Sequence, residues 1–147
     1  MTTVRDMLKT KGNQVWSVSP TTSILQALEF MAEKNVGALL VLQDEKVAGI
    51  ISERDFARSI AKNGRCLVDA PIQDIMTKEV FTIRPEISIE ECMSLMTQKR
   101  IRHLPVVVED KLLGLISIGD IVKEVISAKE STIHHLENYI EGSDYAR

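Results

Sequence analysis

Cysteine is scarce in this chain of 147 residues: Cys66 and Cys92 are the two present. They have neither metal-ligand spacing nor the density of a disulfide-held secreted scaffold, so reduced thiols are expected. A surplus of positive charge is missing too. The 18 Lys and Arg against 21 Asp and Glu leave a net charge of -3, which offers nucleic acid no basic face. No apolar run approaches the roughly 20 residues of a membrane helix. The opening Met1-Thr2-Thr3-Val4-Arg5-Asp6 lacks the apolar centre of a signal peptide. A cytoplasmic protein with no nucleic-acid and no membrane partner is therefore expected. Nor does any histidine, cysteine or serine combine with a base into a catalytic constellation, so no enzyme is expected. What remains, 44% hydrophobic and 27% charged, is ordinary for a globular domain.

What is present is present twice. Residues 18–57 realign on residues 83–122 at a constant offset of 65, without a gap. Pro20 meets Pro85, Ser23 meets Ser88, Met31 meets Met96 and Lys34 meets Lys99. Gly49-Ile50-Ile51-Ser52 meets Gly114-Leu115-Ile116-Ser117, and Asp55 meets Asp120. An internal repeat implies a pseudo-twofold interface and two related sites. A unit of about 60 residues buries too little surface to be comfortable alone, so the copies are expected to share one core.

Each repeat reads as strand, helix, strand, strand, helix, preceded by a short helical turn. In the first, residues 15–18 are extended. A helix follows over about 23–34, with Ile24, Leu28, Met31 and Ala32 on one face. Residues 38–42 and 47–51 flank the polar turn 43–46 as a hairpin, and a helix starts at Ser52. In the second, residues 80–83 form the strand, 89–99 the helix, 104–108 and 112–116 the hairpin, and a helix starts at Ser117. The organisation expected is repeat one over 4–62, a linker over 63–71, repeat two over 72–127 and a helical tail over 128–147. In the tail Ile133, Leu136 and Ile140 make a narrow apolar stripe.

The element with chemical content is Gly, two apolar residues, Ser, two variable residues and Asp. It sets a strand end against a helix N-terminus, where free N–H groups favour an anion such as phosphate. An Asp one turn in can accept hydrogen bonds from a vicinal diol. Ser-x-x-Asp is also a near-match to a capping box, in which Ser52 and Asp55 satisfy helix N–H groups and nothing more. His134-His135 point to different helix faces and make a poor metal site. Trp16 suits base stacking and core filling equally. Cys92, where the first repeat has Ala27, is read as an inert buried thiol.

Period, element order and the two Gly-h-h-Ser-x-x-Asp ends together resemble a tandem pair of CBS domains, over about residues 4–127. The resemblance implies an α/β (α+β) fold of two β-α-β-β-α repeats packed as a pseudo-twofold pair, plus a C-terminal helix. It implies a non-catalytic sensor of adenosyl ligands: AMP, ADP or ATP first, with NAD(H) or S-adenosylmethionine as further candidates. Carried over residue by residue, Asp55 and Asp120 hold ribose hydroxyls. Ser52 and Ser117 sit near the phosphate, joined by Arg54, Arg102 and His103. The adenine pocket comprises Val15, Trp16 and Ser17 with Val36, Ala38 and Ile51, and Val80, Phe81 and Thr82 with Ile101, Leu104, Pro105 and Ile116. Because repeat two has Arg102-His103 where repeat one has Gly37-Ala38, and repeat one has Arg54 where repeat two has Gly119, the two sites are expected to be unequal. The resemblance also implies a homodimer and a regulated partner protein. The rival reading is a ligand-free interaction or dimerisation module.

Overall fold

The computed structural model describes residues 2–143, and side chains through residue 138. In chain order it contains α1 (Val4–Lys11), β1 (Ser17–Val18), α2 (Ile24–Lys34), β2 (Ala38–Gln43), β3 (Lys46–Ser52) and α3 (Glu53–Asn63). A 3-10 turn (Ile72–Asp74) then leads to α4 (Ile89–Lys99), β4 (His103–Val108), β5 (Lys111–Ser117) and α5 (Ile118–Ser143).

Local chemistry explains most boundaries. Ser23 and Ser88 cap α2 and α4 by accepting from the N–H groups of Gln26 and Glu91, each at 3.1 Å. Both helices end on a left-handed residue, Asn35 (φ 54) and Arg100 (φ 55). Both hairpins turn through two positive-φ residues, Asp44-Glu45 and Glu109-Asp110, the geometry of a two-residue primed turn. Each hairpin carries an irregularity at the same place, after Val41 and after Val106. The repeat is thus visible down to its defects.

Strand β1 pairs in parallel with β2, and β2 in antiparallel with β3. In the second repeat the sheet holds β4 and β5, and the strand expected over 80–83 shrinks to one bridge at Ile83. The reason lies upstream. Thr77 bonds through its own N–H and C=O to Ile50 of β3, at 2.9 and 3.0 Å. The chain must then cross from one repeat to the other, and it reaches β4 only where Ile83 bonds Pro105 and Val107.

The single shared core expected from the sequence is two cores joined by exchange. Helix α1, ahead of repeat one, buries Val4, Met7 and Leu8 among Ile83, Ile89, Cys92, Met96, Leu104, Val106, Ile116 and Ile121 of repeat two. Conversely Ile72, ahead of repeat two, is buried among Ile24, Ala27, Met31, Leu39, Val41, Ile51 and Phe56 of repeat one. Backbone bridges Thr3 to Ser88 and Ser23 to Pro71 lock the two exchanges in equivalent places. The linker is held as well: the carbonyls of Val68 and Ala70 accept from Leu25 and Ile24, free N–H groups at the start of α2.

The tail is not a separate helix. Helix α5 runs unbroken for 26 residues, so the stripe of Ile133 and Leu136 continues that of Ile118, Val122 and Ile126. The side chain of Ile140 and the tail beyond residue 143 lie outside the described part. Among the described residues no helix is long and apolar enough to cross a membrane.

Candidate ligand cleft

The end of β3, the start of α3, the crossing segment 77–81 and the α4–β4 corner enclose a cleft of about 520 Å³. That volume is in the range of small-molecule sites. Of the expected site residues it brings together Ser52, Arg54, Asp55, Val80, Phe81, Ile101, Arg102 and His103. It adds Arg58, Thr77, Glu79, Lys99 and Arg100, which sequence reasoning missed. Arg58 was recoverable from the sequence, because it lies four residues after Arg54 and so shares its helix face. Lys99 and Arg100 carry no such signal, since only the left-handed end of α4 turns the chain back over the cleft.

Asp55 is held in place before any ligand arrives. Its Oδ2 accepts from the Ser52 N–H at 2.8 Å and the Ser52 hydroxyl at 3.1 Å, and its Oδ1 accepts from the Thr77 hydroxyl at 3.1 Å. Helix capping and site building are therefore done by the same atoms. A carboxylate offers about four acceptor positions and three are taken, so one remains for a ligand hydroxyl.

Asp120 makes the same bonds to Ser117, at 2.8 and 2.9 Å. In place of Thr77, however, it meets the ammonium of Lys11, which also bonds the Leu115 carbonyl. Leu115 is the counterpart of Ile50, so one ammonium does for repeat two what the Thr77 backbone N–H and hydroxyl do for repeat one. Burial alone would raise the Asp120 carboxyl. The hydrogen bonds from Lys11 and from the Ser117 backbone outweigh it and hold the group below the usual carboxylate range. His103 is pushed below the ordinary imidazole range, first by burial and then by the charge of Lys11, with Asp120 opposing. It is therefore neutral at pH 7.

The remaining expected residues are placed differently. Ile51, Leu104 and Ile116 are 0% exposed and belong to the two cores, so they support the cleft from behind rather than line it. Ala38 and Pro105 are buried, Val15, Ser17 and Val36 are half-buried, and none of the five lines the cleft. Thr82 is exposed beyond the cleft wall. Trp16 meets Phe30 edge-on at 5.9 Å, and the Lys34 ammonium lies 4.4 Å from its ring centre. The same pairing recurs 65 residues on, where Lys99 lies 4.8 Å from the ring of Phe81. Phe81 is 45% exposed within the cleft, so a flat apolar surface remains there for a base. Cys92 is fully buried and its thiol is pushed up to about 11, mainly by that burial, as an inert core residue should be.

With this geometry in hand, comparison with known proteins is informative. The pattern of the CBS domain matches residues 4–62 and again 72–127. The chain belongs to the CBS-domain family and carries a tandem pair. In Arabidopsis thaliana, the mitochondrial CBS domain-containing protein CBSX3 is 37% identical over 96% of this chain and 73% of its own. A candidate signal-transduction protein with CBS domains from Burkholderia ambifaria superposes with a TM-score of 0.81 at 44% identity, covering 86% of this chain and 95% of that one. A CBS pair solved with 5′-methylthioadenosine and S-adenosylmethionine superposes at 0.75 and 24% identity, covering 88% and 98%, and shares the fold.

Proposed function

We propose that this chain is a non-catalytic sensor that binds an adenine nucleotide in the cleft beside Asp55 and signals the bound state to a partner protein. The carrying observation is a preset carboxylate acceptor beside an exposed aromatic ring and a group of arginines, in one cleft of adenosyl-ligand size. The carboxylate suits a ribose hydroxyl, Phe81 a base and the guanidiniums a phosphate. A solved relative of the same fold holds adenosyl ligands, which supports the class of molecule. The cleft is walled by both repeats, so a ligand that touches both favours one arrangement of the pair, which a partner can read. A second copy is the expected structural partner, through the exposed apolar face of α5. The capping role of Ser52 and Asp55 favours the rival, a ligand-free interaction module, since a cap alone explains their mutual bonds.

A thermal-shift screen against AMP, ADP, ATP, NAD, NADH and S-adenosylmethionine separates the two. A ligand at about 100 times its Kd adds ~2.7 kcal/mol, which for a chain of this size raises Tm by roughly 5 to 10 °C. The sensor reading expects such a rise with an adenosyl ligand, absent in Asp55→Asn. No rise with any of them, from folded protein stripped of ligand, would leave the interaction module standing.

A further inference from the structure

Duplication lets the two repeats serve as each other's control. Caps, turns, bulges and core positions recur at the offset of 65, so what the fold requires is found twice. Three of the five Lys and Arg side chains of the cleft do not recur, nor does His103. Arg54 corresponds to Gly119, Arg100 to Asn35, Arg102 to Gly37 and His103 to Ala38. Lys99 and Arg58 keep basic counterparts in Lys34 and Lys123, and the Lys34 ammonium already lies over the Trp16 ring. Five Lys and Arg side chains thus gather in one cleft of a chain whose net charge is -3.

Lys99 lies over the Phe81 ring, but the four arginine charges are unspent. Among the described residues the ion pairs involve Arg5, Lys11 and Lys34, and none of the cleft arginines. Of the three cleft carboxylates, Asp55 is engaged with Ser52 and Thr77, and neither Glu53 nor Glu79 forms an ion pair with a cleft arginine. Arg100 also holds a left-handed backbone conformation (φ 55) in which repeat one uses Asn35, the residue that tolerates it better. A long cation kept at such a position indicates a use for its side chain.

The arginines stand on two walls: Arg54 and Arg58 on one face of α3, and Arg100 and Arg102 at the α4–β4 corner. A guanidinium binds phosphate best as a two-pronged fork, and a single terminal phosphate cannot receive four forks from two directions. S-adenosylmethionine offers a sulfonium and an ammonium against one carboxylate, the wrong sign for this lining. We propose that the cleft selects adenine nucleotides carrying a chain of two or three phosphates over AMP and over S-adenosylmethionine. This choice rests on the sensor reading above.

The test is titration calorimetry of the full chain with AMP, ADP, ATP and S-adenosylmethionine, without divalent metal, at two salt concentrations. ATP is expected to bind about tenfold or more tighter than AMP, with ADP between them. The gap should narrow as salt rises, because exposed charges are screened. Arg100→Asn installs the residue that repeat one tolerates at this backbone angle, so it preserves the fold. Combined with Arg58→Gln it should weaken ATP about tenfold more than AMP and so remove most of the advantage of ATP. AMP or S-adenosylmethionine binding as tightly as ATP, or a double variant that weakens AMP and ATP equally, would overturn the selectivity and leave the sensor reading intact. No binding of any adenosyl ligand would overturn both.

Discussion

Gly49 and Gly114 occupy the same place in the two repeats, but what they make room for differs. A Cβ on Gly49 would lie 2.7 Å from the Met76 sulfur and 2.8 Å from the Thr77 carbonyl oxygen, which is backbone fixed by its bond to Ile50. A Cβ on Gly114 would meet the methyl end of Leu8 at 2.7 Å, and a side-chain tip can rotate away. The repeated glycine therefore serves the close approach of the exchanged segment. Gly49→Ala is expected to cost about 1 to 3 kcal/mol, and Gly114→Ala clearly less, in denaturant unfolding. Equal costs would show that the two approaches are equally tight. His103 carries a second expectation at this scale. Its folded pKa lies below the unfolded value of about 6.5, so the unfolded chain binds the proton more readily. Its contribution to stability is full above pH about 6.5 and is lost as pH falls toward the lowered folded value. His103→Gln should flatten the stability profile below about pH 6.5, whereas an unchanged slope would place the titration elsewhere. A phosphate bound beside His103 favours the imidazolium, so nucleotide affinity should rise over the same fall in pH.

Helix α1 raises the question of which repeat an element belongs to. By sequence it introduces repeat one; by packing it completes the core of repeat two, with Val4 at 0% exposure and Leu8 at 3%. Leu8→Ala should cost about 2 to 5 kcal/mol. Its first effect on amide exchange should fall on α4, β4 and β5, not on the repeat that follows it in sequence. Early loss of protection in α2 and β2 would contradict the exchange. This is also where the sequence stopped being legible. Helices, hairpins and the two motif carboxylates have local signals, namely periodicity, caps and polar turns, and all were readable. That Val4 and Leu8 are apolar was readable; which core receives them depends on a crossing that no local pattern encodes. The strand expected at residues 80–83 failed for the same reason, since Val80, Phe81 and Thr82 have strand-forming side chains but the path from Thr77 carries them across the cleft. In the site, Arg54, Arg102 and His103 stood out because their counterparts are small. Lys11 on Asp120 did not, because it is placed by the end of α1 and not by the repeat.

At the scale of the whole molecule, five of the ten exposed large apolar side chains among the described residues lie along α5. Ile118, Val122 and Ile126 follow one another at intervals of four, and Ile133 and Leu136 continue the helix beyond the second repeat at 54% and 58% exposure. The tail of such a helix, lying past the domain it grows from, is marginal in water without a surface to pack on. A second copy supplies one, because a stripe related to itself by a twofold axis meets the same stripe. The chain is therefore expected to run as a dimer in light scattering after gel filtration. Val122→Glu with Ile126→Glu places two carboxylates on each copy at the centre of that contact, where burial without partners is costly. Both positions are about half exposed in the single chain, so its own cores are left intact. The double variant should elute as a monomer with near-normal helix content. Dimers that survive both substitutions would move the contact off α5. If the variant also binds nucleotide with unaltered affinity, the cleft beside Asp55 is complete within one chain, and dimerisation serves the signal rather than the site.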